Sequence, residues 1–423
     1  MHLRKLGLFL CGVTFLPLAS ALADDLSVAA NSMNALGIDL LARVAKPDEN
    51  ALLSPYSIQS ALAMTYAGAA GETKAEMAKV LHYPEDEAAL HRSFAAFSRG
   101  MAEAAVRSQK VILESEERGG PSEPLTLEVA NRLYGQSGYD FRPEFLTLTK
   151  EIYGAPFQPV DFIKNAEKIR SEINAWVAQR TRDRICDLIA PGGLDEKTRL
   201  ALVNAVYFKA PWAKEFSKYG TKPKTFFVGG TQKIEVPTMQ AQRVFGYRHQ
   251  EGFTAVTIRY VGGELQFLVL LPDKQYGLAD LEKRLTAQLL LDCANPDPAE
   301  LILYLPKFRI EPPVMALAKE LQSLGMKTAF DQPNGSANFD RMAPRKPNDY
   351  LYVSAVFHKT FIAVDEEGTE AAAATSVVVL AAFAVAQNPS KPIEVQVDRP
   401  FLFAIQHRAS GACLFLGRVV DPR

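Results

Sequence analysis

Cysteine is scarce in this sequence, with 4 among 423 residues. Cys186, Cys293 and Cys413 lie far apart, and Cys11 falls in an amino-terminal apolar run. No two of them form a CxxC pair, so the chain lacks the spacing of a zinc site, a redox motif or a disulfide framework. One bridge plus one free thiol among the last three remains open.

An excess of charge of either sign is also missing. The chain has 47 Lys and Arg against 48 Asp and Glu, which gives a formal net charge of −1. No block of basic residues is present, so composition gives no argument for binding nucleic acid or anionic lipid. The 48% hydrophobic and 22% charged residues are typical of a chain that folds around a packed core.

An apolar segment long enough to cross a membrane is missing near the amino terminus. The run from Leu6 to Leu18 falls short of the about 20 residues that a bilayer requires. Arg4 and Lys5 precede it, and Ala21-Leu22-Ala23 then offers a signal peptidase pattern. We expect a signal peptide at 1–23 and a secreted mature chain at 24–423, extracellular or periplasmic, with no stable membrane anchor. A buried first helix is the alternative.

Catalytic motifs are absent as well. The sequence has no GxSxG elbow, no HExxH helix and no phosphate-cradling glycine loop. Gly135-Gln136-Ser137-Gly138 lacks the final glycine of a nucleophile elbow. We therefore predict that the protein is not an enzyme and that it uses no metal and no cofactor.

The patterns that are present divide the chain into a helical first third and a strand-rich remainder. Ala51-Leu52-Leu53 reads as a short strand that leads into a helix begun by Ser54 as N-cap and Pro55. Thr73 to Glu76 resembles a capping box. Leu200 to Phe208 is almost wholly apolar, as in a central strand covered on both faces. With no repeat and no linker, this favours a single α+β domain with large mixed sheets.

One segment near the carboxyl end has conflicting propensities. After Asp365 and Glu366, small residues run from Gly368 through four alanines to three valines, so helix and strand formers follow each other. As a strand it would place a small or apolar residue at every second position, and such a strand could slide between two neighbours. That face would consist of Thr369, Ala371, Ala373, Thr375, Val377 and Val379. A flexible alanine-rich linker is the alternative.

This segment resembles the hinge of inhibitory serpins, and the resemblance covers nearly the whole mature chain. The motifs that carry it occur in the family's order: Asn50 to Gly71, Leu202 to Lys209, Val236 to Met239, Leu305 to Phe308, His358-Lys359, Pro400 to Phe403 and Phe415 to Val419. Each motif is weak alone, but the ordered set is specific. The resemblance implies one domain with three β-sheets, eight to nine helices and an exposed reactive-centre loop at about 366–393.

The resemblance also implies a mechanism. A serine protease would attack the loop as a substrate, form a covalent acyl-enzyme and be trapped when the cut loop inserts into a sheet. Loop insertion by serpins is itself a known example of strand addition. The hinge would be formed by Glu366, Glu367, Gly368, Thr369, Glu370, Ala371, Ala372, Ala373, Ala374 and Thr375.

Further residues would control insertion, as the resemblance implies. A polar cluster beneath the sheet, called the shutter in this family, would contain Ser54, Ser57, Asn204 and His358. Asn204 interrupts an apolar strand and needs a polar partner in any case. Trp212 would lie in the breach, where the loop first enters the sheet. Ordinary core packing is the alternative for His358 and Trp212.

The family's spacing places the scissile bond between Ala382 and Phe383. A small alanine before the cut suits an elastase-like protease, and no Lys or Arg occurs from Ser376 to Ala386. Leu380 or Phe383 before the cut would suit chymotrypsin-like or subtilisin-like proteases instead.

The expected partner is therefore a target serine protease in a covalent acyl complex. We expect a monomer, with loop-sheet polymers on destabilisation. A non-inhibitory serpin (carrier, chaperone or structural protein) and an inhibitor of cysteine proteases are the alternatives.

Overall fold

The structure is a computed structural model and describes residues 18–115, 123–346, 348–370 and 391–423. Within this part of the chain there are nine α-helices: α1 (Leu18–Val44), α2 (Pro55–Ala67), α3 (Gly71–Val80), α4 (Glu87–Ser115), α5 (Pro143–Glu151), α6 (Phe162–Arg180), α7 (Leu278–Arg284), α8 (Ala287–Asp292) and α9 (Ala318–Leu324). Six of them precede residue 181, as the sequence predicts.

The strands are shorter and lie mostly in the later part of the chain. They are β1 (Ala51–Leu53), β2 (Thr126–Gln136), β3 (Gln158–Val160), β4 (Leu200–Pro211), β5 (Lys222–Val228), β6 (Gln232–Gln250), β7 (Phe253–Arg259), β8 (Leu265–Pro272), β9 (Asp297–Pro306), β10 (Phe308–Ile310), β11 (Met315–Ala316), β12 (Val353–Thr360), β13 (Ile362–Val364), β14 (Gly368–Thr369), β15 (Ile393–Gln396), β16 (Phe401–His407) and β17 (Cys413–Val419). The predicted α+β organisation in one domain is confirmed.

The described strands form two hydrogen-bonded sheets where three were expected. One sheet runs β1-β17-β16-β8-β7-β6-β9-β15, with β5 paired to β6. The other runs β10-β13-β14-β4-β12-β11, with β2 and β3 beside β4. The number differs because β6 is 19 residues long and pairs with β5, β7 and β9 in turn. Through these pairings β6 joins β5 and β9 to β7 and β8 in one continuous sheet.

Strand β4 has the buried central position that its composition predicts. All 12 of its residues are buried. Leu200, Leu202 and Val206 belong to the main core. Ala201 and Val203, which point to the opposite face, pack in a second core beneath α6. Apolar cover on both faces explains why the strand lacks polar alternation.

Helix α2 fills the space between the two sheets. Ser54 is its N-cap and accepts a hydrogen bond from Ser57 N, and Pro55 occupies the first turn. All 13 residues of the helix are buried. The predicted helix start is therefore confirmed, and it carries two serine side chains to the underside of β4.

The expected leader falls partly within the first helix. α1 begins at Leu18, so Ala21-Leu22-Ala23 lies inside a continuous helix, while residues 1–17 lie outside the described part. Met33, Leu36 and Leu40 of the same helix are fully buried in the main core. Among the described residues, no helix has the length and hydropathy needed to cross a membrane.

Candidate functional site

The sheet that contains β4 is closed at one end and split at the other. In the closed part, β12 pairs with β4 in parallel, from Val353 opposite Leu200 to Thr360 opposite Val206. Beyond this point β14 lies between β4 and β13. Thr369 pairs antiparallel with Ala210 of β4 on one side and with Val364 of β13 on the other. The strand that separates the two halves is the start of the expected hinge.

The first residues of the expected exposed loop are buried. Glu366, Glu367, Thr369 and Glu370 are each at most 8% exposed. The loop boundary at 366 is therefore wrong, because backbone pairing and side-chain contacts hold this segment in the sheet. Ala371 to Thr375, Ala382 and Phe383 belong to 371–390, which lies outside the described residues.

Glu366 and Glu367 fix the hinge to its surroundings through ion pairs. Glu366 accepts hydrogen bonds from Lys307 Nζ and Thr221 Oγ1, both at 2.7 Å. Burial raises the pKa of Glu366, but these hydrogen bonds outweigh that effect and lower it. Glu367 pairs with Lys218. Two carboxylates thus anchor the chain just before it enters the sheet.

Glu370 directly follows β14 and is the last hinge residue that the structure describes. Its φ of 46° lies in the left-handed region and not in the extended region of a strand. Its backbone N–H donates to Ala363 O at 2.7 Å, and its carboxylate pairs with Arg184. Burial raises the pKa of Glu370, and Arg184 opposes this shift.

Trp212 packs at the entry to the split. Its indole Nε1 donates to Asp365 O at 2.9 Å, and its backbone N–H donates to Glu367 O at 2.9 Å. The indole stacks on Tyr260 with ring centroids 4.7 Å apart. The Tyr260 hydroxyl in turn forms a hydrogen bond of 2.5 Å with Thr369 Oγ1. The side chain expected at the breach therefore contacts the hinge, and Tyr260 is an additional contact that sequence reasoning missed.

The four side chains expected beneath the sheet lie together and form a hydrogen-bonded group with Asn131. We call Ser54, Ser57, Asn131, Asn204 and His358 the polar cluster. Asn204 Nδ2 donates to Asn131 Oδ1 at 2.5 Å and also to Ser57 Oγ. Ser57 Oγ donates to Asn131 Oδ1 at 2.9 Å. Ser54 Oγ donates to Leu414 O at 2.6 Å, which ties the cluster to β17.

His358 closes the cluster from β12. Its Nε2 accepts from Ser54 N at 3.2 Å, so Nδ1 carries the proton and donates to Asn204 Oδ1. Burial lowers the pKa of His358 to about 3, which keeps the imidazole neutral. His358 and Asn204 are direct register partners across the β4–β12 pair. Their contact therefore joins the two strands in the closed part of the sheet.

Asn131 was not expected from the sequence. It lies on β2 in the run from Leu127 to Tyr134, where Leu127, Val129 and Leu133 form the core-facing positions. A polar asparagine at a core-facing position of the strand is the sequence signal that could have identified it. Asn131 is opposite Asn204 in the β2–β4 register, so both amides reach the same serine of α2.

Nothing among the described residues indicates a metal centre or a disulfide. No group of three or more His, Cys, Asp or Glu side chains could hold a metal ion there. Cys186 is a free thiol at the surface, and Cys293 and Cys413 are free and buried. The alternative of one bridge is therefore excluded in this structure.

Comparisons with known proteins agree with this geometry. A family model described as Serpin (serine protease inhibitor) matches residues 31–422. The leukocyte elastase inhibitor of Bos taurus is 36% identical over 403 residues, which cover 93% of this chain and 99% of the relative. Serpin B6 of Pongo abelii is 34% identical over 405 residues, covering 94% and 100%. The native crystal structure of the thermophilic serpin tengpin has a TM-score of 0.76 at 28% identity, covering 93% of this chain and 94% of its own.

These relatives correct the expected localisation. Leukocyte elastase inhibitors and serpins B6 and B10 are intracellular serpins, which contradicts the expectation of a signal peptide and a secreted protein. That expectation rests on a local pattern alone, namely Arg4 and Lys5, the apolar run from Leu6 to Leu18, and Ala21-Leu22-Ala23. The names of the relatives agree with the prediction that the chain is an inhibitor and not an enzyme.

Proposed function

This chain belongs to the serpin family of protease inhibitors, and on that basis we propose that it traps a serine endopeptidase by a suicide-substrate mechanism. The observation that carries the proposal is the position of Thr369. It already lies between β4 and β13, antiparallel to both. This position supports a mechanism in which β14 is the start of the insertion strand and the cleaved loop would continue it.

The chemistry begins as ordinary proteolysis. The protease serine Oγ attacks the carbonyl carbon of Ala382, the Ala382–Phe383 amide breaks, and the leaving amine of Phe383 takes up the proton. An ester then joins the protease to the hinge side of the loop. Water would normally hydrolyse this ester. Insertion of the freed segment, which carries the protease along, competes with that step.

The register of the split sheet supports insertion without a shift. Val364 and Ala210 pair with Thr369 on its two sides. Val364 lies six residues after His358, and Ala210 lies six residues after Asn204. His358 and Asn204 pair with each other in the closed part of the sheet. Thr375 likewise lies six residues beyond Thr369. A continued antiparallel strand therefore brings Thr375 between Asn204 and His358. Its hydroxyl can accept from the imidazole N–H and donate to the amide oxygen as these two groups separate.

The polar cluster would set the barrier to this opening. Insertion must break the β4–β12 pairing and the contact between Asn204 and His358. Buried polar groups left without partners cost about 1–3 kcal/mol each, so the sheet stays closed until a strand is available to replace the lost bonds. An uncut loop is held at both ends and cannot supply that strand.

We place the target among elastase-like proteases. Ala382 is small enough for a shallow apolar pocket, and relatives of this chain are named leukocyte elastase inhibitors. Leu380 or Phe383 as the residue before the cut would direct the inhibitor to chymotrypsin-like or subtilisin-like enzymes. The inhibitor would act as a monomer, one molecule per protease.

The test is a mixture of the protein with a pancreatic-type elastase on a denaturing gel. We expect a covalent band near the summed masses and a released fragment that begins at Phe383 on amino-terminal sequencing. Thr375→Arg should turn the inhibitor into a substrate, because a charge would be buried between Asn204 and His358. Gln387→Arg, beyond the cut, is the matched control and should keep the complex.

Cleavage without a covalent band would contradict the proposal for that enzyme. The same result with chymotrypsin-like, subtilisin-like, trypsin-like and papain-like enzymes would favour a non-inhibitory serpin. A stable complex with only the papain-like enzyme would indicate a cysteine-protease target.

A further inference from the structure

The loop from Asp331 to Arg345 contains the one Asn-Gly pair of the sequence, Asn334-Gly335. Asn334 is exposed, and Gly335 has a φ of 86°, in the left-handed region that favours glycine. A Cβ added at Gly335 would have Arg345 Nη2 as its nearest neighbour, 3.9 Å away. The pair is therefore open to water, and glycine has no side chain that hinders approach of its peptide nitrogen to the amide carbon of the preceding asparagine.

A carboxylate faces the peptide nitrogen of Gly335. Asp331 Oδ1 accepts hydrogen bonds from Gly335 N at 2.9 Å and from Ala337 N at 3.1 Å. At this distance the carboxylate is within reach of the Gly335 proton as a general base. The N–H bond lies in the plane of the peptide group, so both faces of the nitrogen stay free to attack a carbon.

A phenol faces the side-chain oxygen of Asn334. Tyr350 Oη lies 3.0 Å from Asp331 Oδ2 and 3.3 Å from Asn334 Oδ1, and it has one proton for these two acceptors. Burial and the hydrogen bond to Asp331 raise the pKa of Tyr350, so the hydroxyl keeps its proton. Once Asp331 has itself taken up a proton, it accepts less strongly, and the Tyr350 hydroxyl is free to donate to Asn334 Oδ1.

A guanidinium holds the other side of the loop. Arg345 Nη2 donates to Gly335 O at 2.7 Å, and Nη1 donates to Ala337 O at 2.8 Å. The guanidinium carbon also lies 4.1 Å from the ring centroid of Tyr350. Arg345 thus fixes both the peptide segment and the phenol, and its positive charge stabilises negative charge that develops beside it.

From this arrangement we propose that Asn334 is a self-modifying site, which the folded chain converts to aspartate and isoaspartate. Asp331 takes the proton from Gly335 N, and this nitrogen forms a bond to Asn334 Cγ. Tyr350 donates to Oδ1 while that oxygen carries negative charge. The Cγ–Nδ2 bond then breaks, and the amide nitrogen takes the proton from Asp331 and leaves as ammonia. The product is a five-membered succinimide ring that contains Gly335 N.

Water then opens the ring. Attack at the side-chain carbonyl gives aspartate, and attack at the main-chain carbonyl gives isoaspartate, in which the chain continues through Cγ. Either product places a new carboxylate beside Asp331, and isoaspartate also lengthens the main chain by one carbon. The loop is bonded to α3, since Asn338 N donates to Thr73 Oγ1 at 3.0 Å. The modification therefore adds negative charge to a loop that packs on the helical part of the molecule.

The rate of conversion is measured on the full protein near pH 7, by peptide mapping with mass spectrometry that separates the three forms of residue 334. The same protein held unfolded in urea is the reference, because it has the Asn-Gly pair without the surrounding groups. We expect conversion at least about tenfold faster in the native protein, less than the about 100-fold of a well-matched base, because a carboxylate is a weak one. Equal or slower conversion in the native protein would overturn the proposal, since the bond to Asp331 would then protect the nitrogen.

The role of the base is tested with Asp331→Asn. This variant keeps an oxygen that accepts from both N–H groups but removes the base, so conversion in the native protein should slow at least about tenfold. Asp340→Asn is the matched control in the same loop, where Asp340 Oδ1 accepts from Arg345 N at 3.1 Å, and it should keep the wild-type rate. An unchanged rate in Asp331→Asn would overturn the assignment of the base.

The role of the phenol is tested with Tyr350→Phe, which keeps a ring for Arg345 to stack on. Conversion should slow at least about threefold, less than the about 100-fold of a preformed oxyanion donor, because the bond of 3.3 Å is long. Tyr352→Phe, whose hydroxyl bonds Lys197 O, is the matched control.

A cooperative thermal melt shows that each variant is folded, and in urea all of them should react at the wild-type rate. Slower conversion of Asp331→Asn or Tyr350→Phe in urea as well would reveal a local sequence effect and overturn the role of the folded loop.

Discussion

His358 acts in the polar cluster as a neutral imidazole. Its ring is fully buried, and its two nitrogens serve opposite roles toward Ser54 N and Asn204 Oδ1. A second proton would place Nε2–H against the Ser54 N–H, where there is no acceptor. The burial that lowers the pKa of His358 to about 3 is therefore matched by the hydrogen-bond geometry.

This arrangement predicts a pH dependence of stability. The ordinary His pKa of 6.5 lies above the folded value of about 3, so the unfolded chain binds the extra proton between these two pH values. The contribution of the neutral imidazole to the free energy of unfolding is then fully present above about pH 6.5. Below that pH it falls by up to about 1.4 kcal/mol per pH unit, so that about 2 kcal/mol is lost at pH 5. Urea unfolding at pH 7 and pH 5 measures this difference in the free energy of unfolding. In His358→Gln the difference should be smaller than in the wild type by about the same amount.

The control for this experiment is the exposed His249. His249→Gln should keep the wild-type difference between the two pH values. Burial also lowers the pKa of His407 to about 4, so all of these variants retain that contribution. The same loss in His358→Gln as in the wild type would show that His358 is not the group responsible.

At this scale, the sequence identified polar residues within apolar runs better than it identified their partners. Asn204 stands out in β4 because every neighbour is apolar. Asn131 and Tyr260 are just as central, but Asn131 lies in a strand that mixes polar and apolar residues, and Tyr260 lies just beyond the end of β7. Their roles depend on register and on contacts between sheets, which no local pattern encodes.

At the scale of elements, β14 is one of the shortest strands. It has two residues, Gly368 and Thr369. Gly368 has no room for a side chain, because an added Cβ would lie 2.2 Å from Ala210 O. Thr369 Oγ1 is bonded to the Tyr260 hydroxyl, and both side chains are fully buried. The hydroxyl pair of Thr369 and Tyr260 is thus the buried side-chain contact that adds to the main-chain pairing of β14.

A double-mutant cycle should reveal this pair. Thr369→Val and Tyr260→Phe each leave one buried hydroxyl unpaired, and each should lower the free energy of unfolding by about 1–3 kcal/mol. The double variant removes both hydroxyls and should cost clearly less than the sum of the single changes. Chemical unfolding measures all four proteins. Additive losses would show that the two hydroxyls do not stabilise each other.

Elements with strong local signals were predictable. β1, the start of α2 and the central strand β4 lie where composition and caps place them. The capping box at Thr73 to Glu76 was wrong, because α3 begins at Gly71. Thr73 Oγ1 instead accepts from Asn338 N, and Glu76 accepts from Lys327 N and Thr328 N. Tertiary partners far along the chain replaced the local cap.

At the scale of the whole molecule, the split sheet is an incomplete structure. β4 and β13 have main-chain groups beyond Thr369 that a longer β14 would pair. About ten added residues, each gaining one net hydrogen bond of about 1 kcal/mol, would stabilise the inserted form by about 10 kcal/mol. On the proposed mechanism, the native form is therefore less stable than the same fold with its loop inserted.

Cleavage of the loop should accordingly raise the melting temperature. At about 1 °C per kcal/mol for a chain of this size, we expect a rise of about 10 °C after nicking within 376–386 by any protease that is then removed. Differential scanning calorimetry of intact and nicked protein measures it. Thr375→Arg provides the comparison, since its loop cannot enter fully. An unchanged melting temperature in the nicked wild type would argue against insertion.

The pairing of β1 with β17 has a consequence for synthesis of the protein. Asn50, just before β1, bonds Val420 N across 370 residues of sequence. In the sheet, β17 and β16 stand between β1 and β8. At 5–20 residues per second, a ribosome needs roughly 20–70 s between these segments. From its own synthesis until β16 is made, β8 presents an open edge, and α2 lacks its cover until β17 is made. A nascent chain held in this state is a natural client for a chaperone.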